Sequence, residues 1–479
     1  WTMNRKEKAQ KVFSTTILQG KREAGRFNRR KKKPWWGIFF IVLPVFYVIF
    51  SSGKAKIHLN TRIMRKNFSV LILMILLPLG SSIYAQDPQK VTLNDAIQTA
   101  LSNNLTLKSA GYSIESNKAL KGSSLDIPKT SFDVQHGQIN SFTNDNSFSV
   151  TQTFEFPTIY ADKYKLAVSK IKSSELAFKI SQLEVASQVK SAYWQYVYLE
   201  SRKALLMYQD SLYSGFQRAA ELRAKAGETN KLEMITARSQ SLEIKNQLYQ
   251  LNSELGIYSK KLGLLMNSQT PVVPGDNELK MISLAKLSDS IFFKQNPSAD
   301  YLKQQVESSR LEKKVEQSQI LPDLTIGVFS QTMIGTQDIN GVPETFGSGD
   351  RFNGVQAGIS VPIWFLPYTS RSKAAKINYE KSKADAENFY KELENKYLTL
   401  IDEYNKYSSS VNFYISQAVP EADLIIDQAF KSYKAGALDY LDFVQSLNRA
   451  LEIKENYLDA INNCNQTIIS IEFITGKIF

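Results

Sequence analysis

Cysteine and histidine are nearly missing from this chain of 479 residues, which has one cysteine, Cys464, and two histidines, His58 and His136. A single cysteine excludes an internal disulfide framework and cannot form a zinc cluster by itself. Two histidines leave little for metal-ligand clusters or histidine-dependent catalysis. Serine and aspartate are abundant, but they predict no catalytic triad without a histidine partner. We therefore expect no enzyme, and we predict no catalytic residue, no cofactor site and no metal ligand.

Acidic residues are scarce at the start of the chain. Residues 1–85 contain 17 Lys and Arg but only 2 Asp and Glu, whereas residues 86–479 contain 42 basic and 44 acidic residues. The formal net charge of +13 therefore comes from residues 1–85, here called the leader, and residues 86–479 have a net charge of −2. This distribution does not predict a nucleic-acid surface.

The leader divides into two segments. Residues 64–85 begin at Met64 with a basic segment, continue with an apolar run at 68–79 and end in small residues before Gln86. This order is typical of a secretory signal peptide cleaved after Ala85, and the apolar run is short for a bilayer span. Residues 1–63 are interpreted as an upstream extension without function, and the alternative is an inner-membrane anchor. No cysteine stands directly after the apolar run, so no lipid anchor is expected at the mature N-terminus.

Neither proline nor glycine occurs between Pro157 and Gly215. Good helix formers dominate residues 158–226, and one helix of that length would extend about 100 Å. A second such segment covers residues 369–435, where apolar residues recur every three or four positions, as in a coiled coil. We interpret both stripes as seams between packed helices.

Proline and glycine mark the same positions in two halves of the chain. Residues 130–156 alternate with period two and predict two strands with a turn, and residues 324–332 and 352–363 predict two more. A loop is expected at 333–351 and a linker at 267–275. Helices are expected before each strand pair and after each long helix, and the first of them, at 91–124, has a weak point at 103–104. Pro128 matches Pro322, and Gly227 matches Gly436 in this plan. The sequence therefore predicts two repeats, 86–275 and 276–479.

Four strands cannot close a barrel alone, and their edges would stay open. Membrane-spanning β-structure must close, and three copies would supply twelve strands. The predicted fold class is an α+β membrane protein. It is a trimeric outer-membrane β-barrel with four strands per protomer, continued by a long periplasmic α-helical barrel and internally duplicated. Aromatic residues at the strand–helix junctions suit a membrane belt or, alternatively, an ordinary core: Phe154, Phe156, Trp364 and Phe365.

The chain resembles the TolC-type outer-membrane efflux channels. The resemblance is carried by the signal peptide, the Leu93-Asn94-Asp95-Ala96-Ile97 opening, the duplicated order, Val361-Pro362-Ile363 and the Gly436 turn with Asp442-Phe443-Val444. It implies a homotrimeric passive duct in outer-membrane lipid with a large periplasmic portion, working with a periplasmic adaptor and an inner-membrane pump. Residues 361–365 are similar to the heavy-metal branch, of the CzcC and CusC types.

The resemblance also suggests working residues. Gly227 and Gly436 would be the periplasmic tips, where an adaptor would contact Leu438 and Leu441, although both leucines could instead pack inside the protomer. A carboxylate gate is expected just past the second tip, and solvated helix-end charges are the alternative. The gate candidates are Asp439, Asp442, Gln445 and the first-half counterpart Glu233.

Two other functions are consistent with part of this pattern. An outer-membrane component of a type I secretion system would have the same architecture. A periplasmic coiled-coil adaptor would explain the long helices, but it would place a β module between two helical arms.

Overall fold

Helices make up most of the computed structural model, which describes residues 89–227, 231–284 and 296–478. The predicted extension at 1–63 and the predicted signal peptide at 64–85 lie outside the described residues. The described helices are α1 (Leu93–Asn103), α2 (Leu105–Leu120), α3 (Pro157–Lys225), α4 (Lys231–Met266), α5 (Pro297–Ser318), α6 (Phe365–Phe413), α7 (Val419–Lys434) and α8 (Tyr440–Ile474). The strands are β1 (Gln89–Val91), β2 (Ser131–Gly137), β3 (Asp145–Phe154), β4 (Val272–Pro274), β5 (Asp323–Thr332), β6 (Gly335–Ile339), β7 (Val342–Phe346) and β8 (Arg351–Ser360).

The first long helix is continuous, as the sequence predicts. Helix α3 has 69 residues and starts at Pro157, whose missing N–H is not needed at a first helical position. The second long helix is interrupted, because a π-helical turn at Tyr414–Ala418 separates α6 from α7. Pro420 follows at the start of α7 and has no N–H to donate to the preceding turn. The sequence pattern predicted one unbroken helix here, and the proline is the physical reason for the difference.

Strands β2, β3, β5 and β8 form one antiparallel four-stranded sheet in that order. All four strands were predicted from their period-two alternation. The sheet leaves β2 and β8 as edges within the protomer. Gly354 allows close packing in β8, because an added Cβ would clash with the ring of Phe329 on the neighbouring strand.

Three local predictions were incomplete. The expected loop at 333–351 contains the hairpin β6–β7. The expected helix at 91–124 is preceded by β1, which pairs in parallel with β4 in the segment expected to be a linker. That helix also breaks at Asn104, where the sequence showed a weak point. The Asn104 carboxamide accepts from the N–H of Thr106 and donates to the carbonyl of Leu265, so it caps α2 and ties it to α4.

The core follows the two predicted helical seams. Leu183, Ala186, Val189 and Tyr193 are buried along α3. Along α6, the buried seam residues are Ala386, Leu393, Tyr397, Leu400 and Val411. Both stripes therefore pack against neighbouring helices, as their three- and four-residue spacing predicts.

Polar contacts join α3 to the last helix, α8. The ammonium group of Lys190 lies 2.7 Å from the Glu472 carboxylate, and both side chains are largely buried. The Tyr198 hydroxyl donates to Asp459 over 2.6 Å. Since these contacts connect residues more than 250 positions apart, they fix the first half of the chain against the end of the second.

Candidate functional site

The four-stranded sheet has one apolar face. The strand register places directly paired residues on the same side, so Phe132, Val150, Val328 and Val355 lie in one row across β2, β3, β5 and β8. Further apolar residues extend this face: Val134, Phe148, Phe154, Leu324, Ile326, Ala357 and Ile359. Most of these side chains are exposed, and Val355 is 84% exposed. A contiguous apolar face of this extent needs a partner other than water.

The opposite face of the sheet is mostly polar. Its paired rows include Asp133 with Ser149, Ser131 with Thr151, and Thr153 with Thr325. The hydroxyl groups of Thr153 and Thr325 lie 3.0 Å apart and share a hydrogen bond. A sheet with one apolar and one polar face can separate lipid from an aqueous lumen.

The predicted aromatic belt lies where the sheet meets the long helices. Trp364 is 82% exposed and Phe365 is also exposed, whereas Phe154 and Phe156 are half-buried. Ile363 and Leu366 are exposed beside them. The residues of the second junction therefore present more free apolar surface than those of the first.

The tips of the helical portion are glycine turns. Gly227 and Gly436 have φ angles of 76° and 72°, which glycine adopts without steric cost. At the second tip, the N–H of Ala437 donates to the carbonyl of Ser432 over 2.9 Å, which gives the hydrogen bonding of a Schellman motif. Both positions therefore end the helices, as the sequence predicts.

The gate candidates have different surroundings. Asp439 is the N-cap of α8, and its carboxylate accepts from the N–H of Asp442 over 2.9 Å. Asp442 and Gln445 are exposed and lie about one turn apart on α8. Glu233 is half-buried, and one of its carboxylate oxygens has no hydrogen-bond partner among the described residues. Of the candidates, Asp442 and Gln445 are exposed and do not serve as a helix cap.

Glu233 lies close to Tyr440, the first residue of α8. Burial raises the pKa of Tyr440 above its ordinary value, and the negative charge of Glu233 adds to the rise. A hydrogen bond with Thr236 has the opposite effect on that pKa. These interactions bring the start of α4 near the start of α8 within one protomer.

The two proposed adaptor-contact leucines differ. Leu438 is half-buried and packs against the main core, which favours its role in protomer packing. Leu441 is exposed on the first turn of α8 and is available to a partner.

An aromatic cluster behind the second tip was missed by the sequence reasoning. The ring of Phe443 is fully buried and lies 4.8 Å from Tyr433, 5.1 Å from Phe430 and 5.2 Å from Phe216. Phe216 also stacks on Tyr440 at 5.1 Å. The cluster fastens α7 and α8 to α3, and the only sequence signal was a concentration of aromatics on both sides of Gly436.

The described ranges contain no group of three or more His, Cys, Asp or Glu placed to hold a metal ion. Cys464 is buried, and burial raises the pKa of its thiol to about 11. Within the described residues, none of the helices is both long and apolar enough to cross a membrane.

Comparison with solved structures identifies the fold. The chain superposes on the outer-membrane channel OprN with a TM-score of 0.68, at 16% identity over 80% of this chain and 89% of that one. The chain has the fold of the TolC-type outer-membrane efflux channels. The CmeC outer membrane channel of Campylobacter jejuni gives a TM-score of 0.66, at 17% identity over 83% of this chain and 91% of that channel. For CusC the TM-score is 0.66, at 15% identity over 83% and 96% of the two chains.

No protein-family model and no curated protein sequence matches the chain. The resemblance to TolC-type channels inferred from the sequence motifs is confirmed at the level of the fold. In this channel fold, the four-stranded sheet and the glycine turns occupy opposite ends of α3, because β3 leads into its start and Gly227 follows its end.

Proposed function

We propose that this chain is one of three identical subunits of an outer-membrane channel, and that the channel is the passive export duct of a tripartite efflux system. The observation that carries this proposal is the open sheet with an exposed apolar face, attached to helices of the TolC-type fold. The protein would lie in the outer membrane with a large periplasmic portion.

The sheet supports a trimer through its edges. Unpaired strand edges are costly in a membrane, so β2 of one subunit must pair with β8 of the next. The order β2-β3-β5-β8 makes this closing pair antiparallel, like the pairs within the subunit. Twelve strands about 4.8 Å apart and tilted about 40° would enclose a barrel roughly 24 Å across. The polar face would then line the lumen.

The long helices support a duct that continues beyond the sheet. Helix α3 has 69 residues and extends about 100 Å. Three copies of α3, α4, the α6–α7 arm and α8 would supply twelve helical segments to a tube in the periplasm. A periplasmic adaptor would contact the tips near Gly227, Gly436 and Leu441, and an inner-membrane pump would supply the energy.

Asp442 is proposed to narrow the entrance of this duct. Three symmetry-related carboxylates would form a ring that favours cations and binds divalent ions. Gln445, one turn further along, would add a neutral ring. Asp439 would support the gate by capping α8, and Glu233 would act through Tyr440 rather than in the pore.

A type I secretion channel would share this fold, so the choice depends on the partner pump. The adaptor alternative does not match, because the predicted strands form one sheet at a single end of the long helices. The similarity to the heavy-metal branch stays a prediction, since OprN, CmeC and CusC resemble the chain about equally.

Fractionation and bilayer recording test the proposal. The exported protein should sediment with outer membranes, have the native mass of three chains and form cation-selective pores in planar bilayers. Asp442→Asn should reduce cation selectivity and block by divalent cations, whereas Glu452→Gln, an isosteric change further along α8, should leave both unchanged. A monomer that remains in the soluble periplasmic fraction would overturn the channel, and unchanged block in Asp442→Asn would remove the gate assignment alone.

A further inference from the structure

Positive charge is concentrated where the helices meet the sheet. The chain segments next to the strand ends are residues 118–130, 155–172, 310–323 and 361–376, here called the collar. Together they contain thirteen Lys and Arg and six Asp and Glu, a net charge of +7. The remainder of residues 86–479 has a net charge of −9. The pairing of Phe154 with Leu324 and of Asp323 with Ser360 places these strand ends at one edge of the sheet.

The start of α6 is the part of the collar in which basic residues are not balanced by any acidic residue. Residues 361–376 contain Arg371, Lys373 and Lys376 and no acidic residue. All three cations are exposed. Arg371 lies over the Tyr368 ring at 4.8 Å and 3.9 Å from the Glu316 carboxylate. Lys373 and Lys376 form no ion pair with any described residue, so their charges are left for a partner.

Exposed apolar residues lie directly between these cations and the sheet. Ile363, Trp364 and Phe365 are exposed at the end of β8 and the start of α6. At about 1.5 Å per residue, Arg371 lies roughly 9 Å below Phe365 and Lys376 roughly 16 Å below it. The headgroup region on each side of a bilayer is several ångströms thick, and long cationic side chains reach back toward it.

We propose that the collar binds the anionic headgroups of phospholipids in the membrane leaflet that adjoins the helical portion. The inference rests on the proposed membrane function and adds the chemistry of the lipid. It follows from charge complementarity and from the continuity of the collar with the apolar face of the sheet. Phosphate-bearing headgroups attract lysine and arginine, and the gain is about fivefold in affinity for each cation near an anionic surface.

Trp364 provides an intrinsic probe for this interaction. Within residues 86–479 the other tryptophan is Trp194, which is buried in the helical core. The exported protein is reconstituted into vesicles of phosphatidylcholine and phosphatidylglycerol in which one or the other lipid is brominated, so that quenching reports which lipid lies beside Trp364. The variant Trp364→Phe shows how much of the quenched signal belongs to this residue.

The wild-type protein should be quenched more strongly by brominated phosphatidylglycerol, with a preference of about fivefold or more. In R371Q/K373Q/K376Q the two lipids should quench nearly equally, and high salt should weaken the wild-type preference. The matched control K431Q/K434Q removes exposed cations near the second tip and should keep the preference.

Several results would overturn the inference. Equal quenching of the wild type by both lipids, or an unchanged preference in the triple variant, would show that these cations do not select the lipid. A triple variant that keeps its lipid preference but changes ion selectivity in planar bilayers would place the cations in the lumen. Absence of quenching by either lipid would instead contradict membrane insertion, and so the proposed channel itself.

Discussion

Phe443→Ala should loosen the second tip while leaving the rest of the protein folded. Phe443 is fully buried, with ring contacts to Phe216, Phe430 and Tyr433 at 4.8–5.2 Å. Truncating a buried phenylalanine to alanine typically costs 3–5 kcal/mol, to which each lost aromatic pair contributes about 0.5–1.5 kcal/mol. Because the cluster holds the end of α7 and the start of α8, the cost should fall on local opening of the tip.

Hydrogen exchange with mass spectrometry measures this opening. A loss of 3–5 kcal/mol corresponds to exchange that is roughly two to four orders of magnitude faster in peptides covering 430–447. Peptides from the middle of α3 and from the sheet should exchange as in the wild type. In the proposed channel the open-channel conductance should also rise, because the cluster would restrain its entrance.

Two matched variants make the result interpretable. Phe443→Leu keeps most of the buried volume and should cost about 1.5 kcal/mol or less. Leu441→Ala changes an exposed residue two positions earlier and should stay within about 0.5 kcal/mol of the wild type. Unchanged exchange in Phe443→Ala, or equal effects of Phe443→Ala and Leu441→Ala, would refute the restraining role of the cluster.

Three further outcomes are expected. Asp439→Ala should destabilise the first turn of α8 by about 1 kcal/mol, because the N–H of Asp442 loses its acceptor. Hydrogen exchange in this turn should become faster in Asp439→Ala and return to the wild-type rate in Asp439→Asn, since asparagine caps a helix as well as aspartate does. Lys190→Ala should lower the free energy of unfolding by about 3–5 kcal/mol, since it leaves the largely buried Glu472 carboxylate unpaired. Chemical unfolding measures this loss. An equal loss in the double variant Lys190→Met/Glu472→Leu, which removes both charges, would contradict this reason. Cys464 should make the protein less stable as the pH rises from about 9 toward 11, because the unfolded thiol ionises before the buried one, and this slope in unfolding titrations should decrease in Cys464→Ala.

Local patterns were sufficient for the main elements. Period-two alternation located β3, β5 and β8, and three- and four-residue spacing located the buried stripes of α3 and α6. Glycines at 227 and 436 marked the helix ends, because a positive φ ends a helix with little steric cost. These features depend on residues close in sequence, so they can be read without knowing the fold.

Features that depend on distant residues were missed or misplaced. Strand β1 is short and gains its hydrogen bonds from β4, which lies about 180 residues later in the chain. The aromatic cluster combines Phe216 of α3 with residues beyond 430, and nothing local indicates that they meet. The π-helical turn before Pro420 reflects how α6 and α7 adjust to a missing N–H, and the spacing of apolar residues does not show this.

The amino-acid sequence by itself determined where the main helices and the strands of the four-stranded sheet lie, which faces are apolar and where the long helices turn, because hydrophobic period and turn chemistry act over a few residues. Only the tertiary structure decided which candidate residues are exposed and which are used in contacts within the protomer. It used Asp439 as a helix cap, placed Glu233 beside Tyr440 and left Asp442 exposed, and it set the cations of the collar beside the apolar edge of the sheet. The physical reason is that burial, hydrogen bonding and charge proximity depend on neighbours that the chain brings together only when it folds.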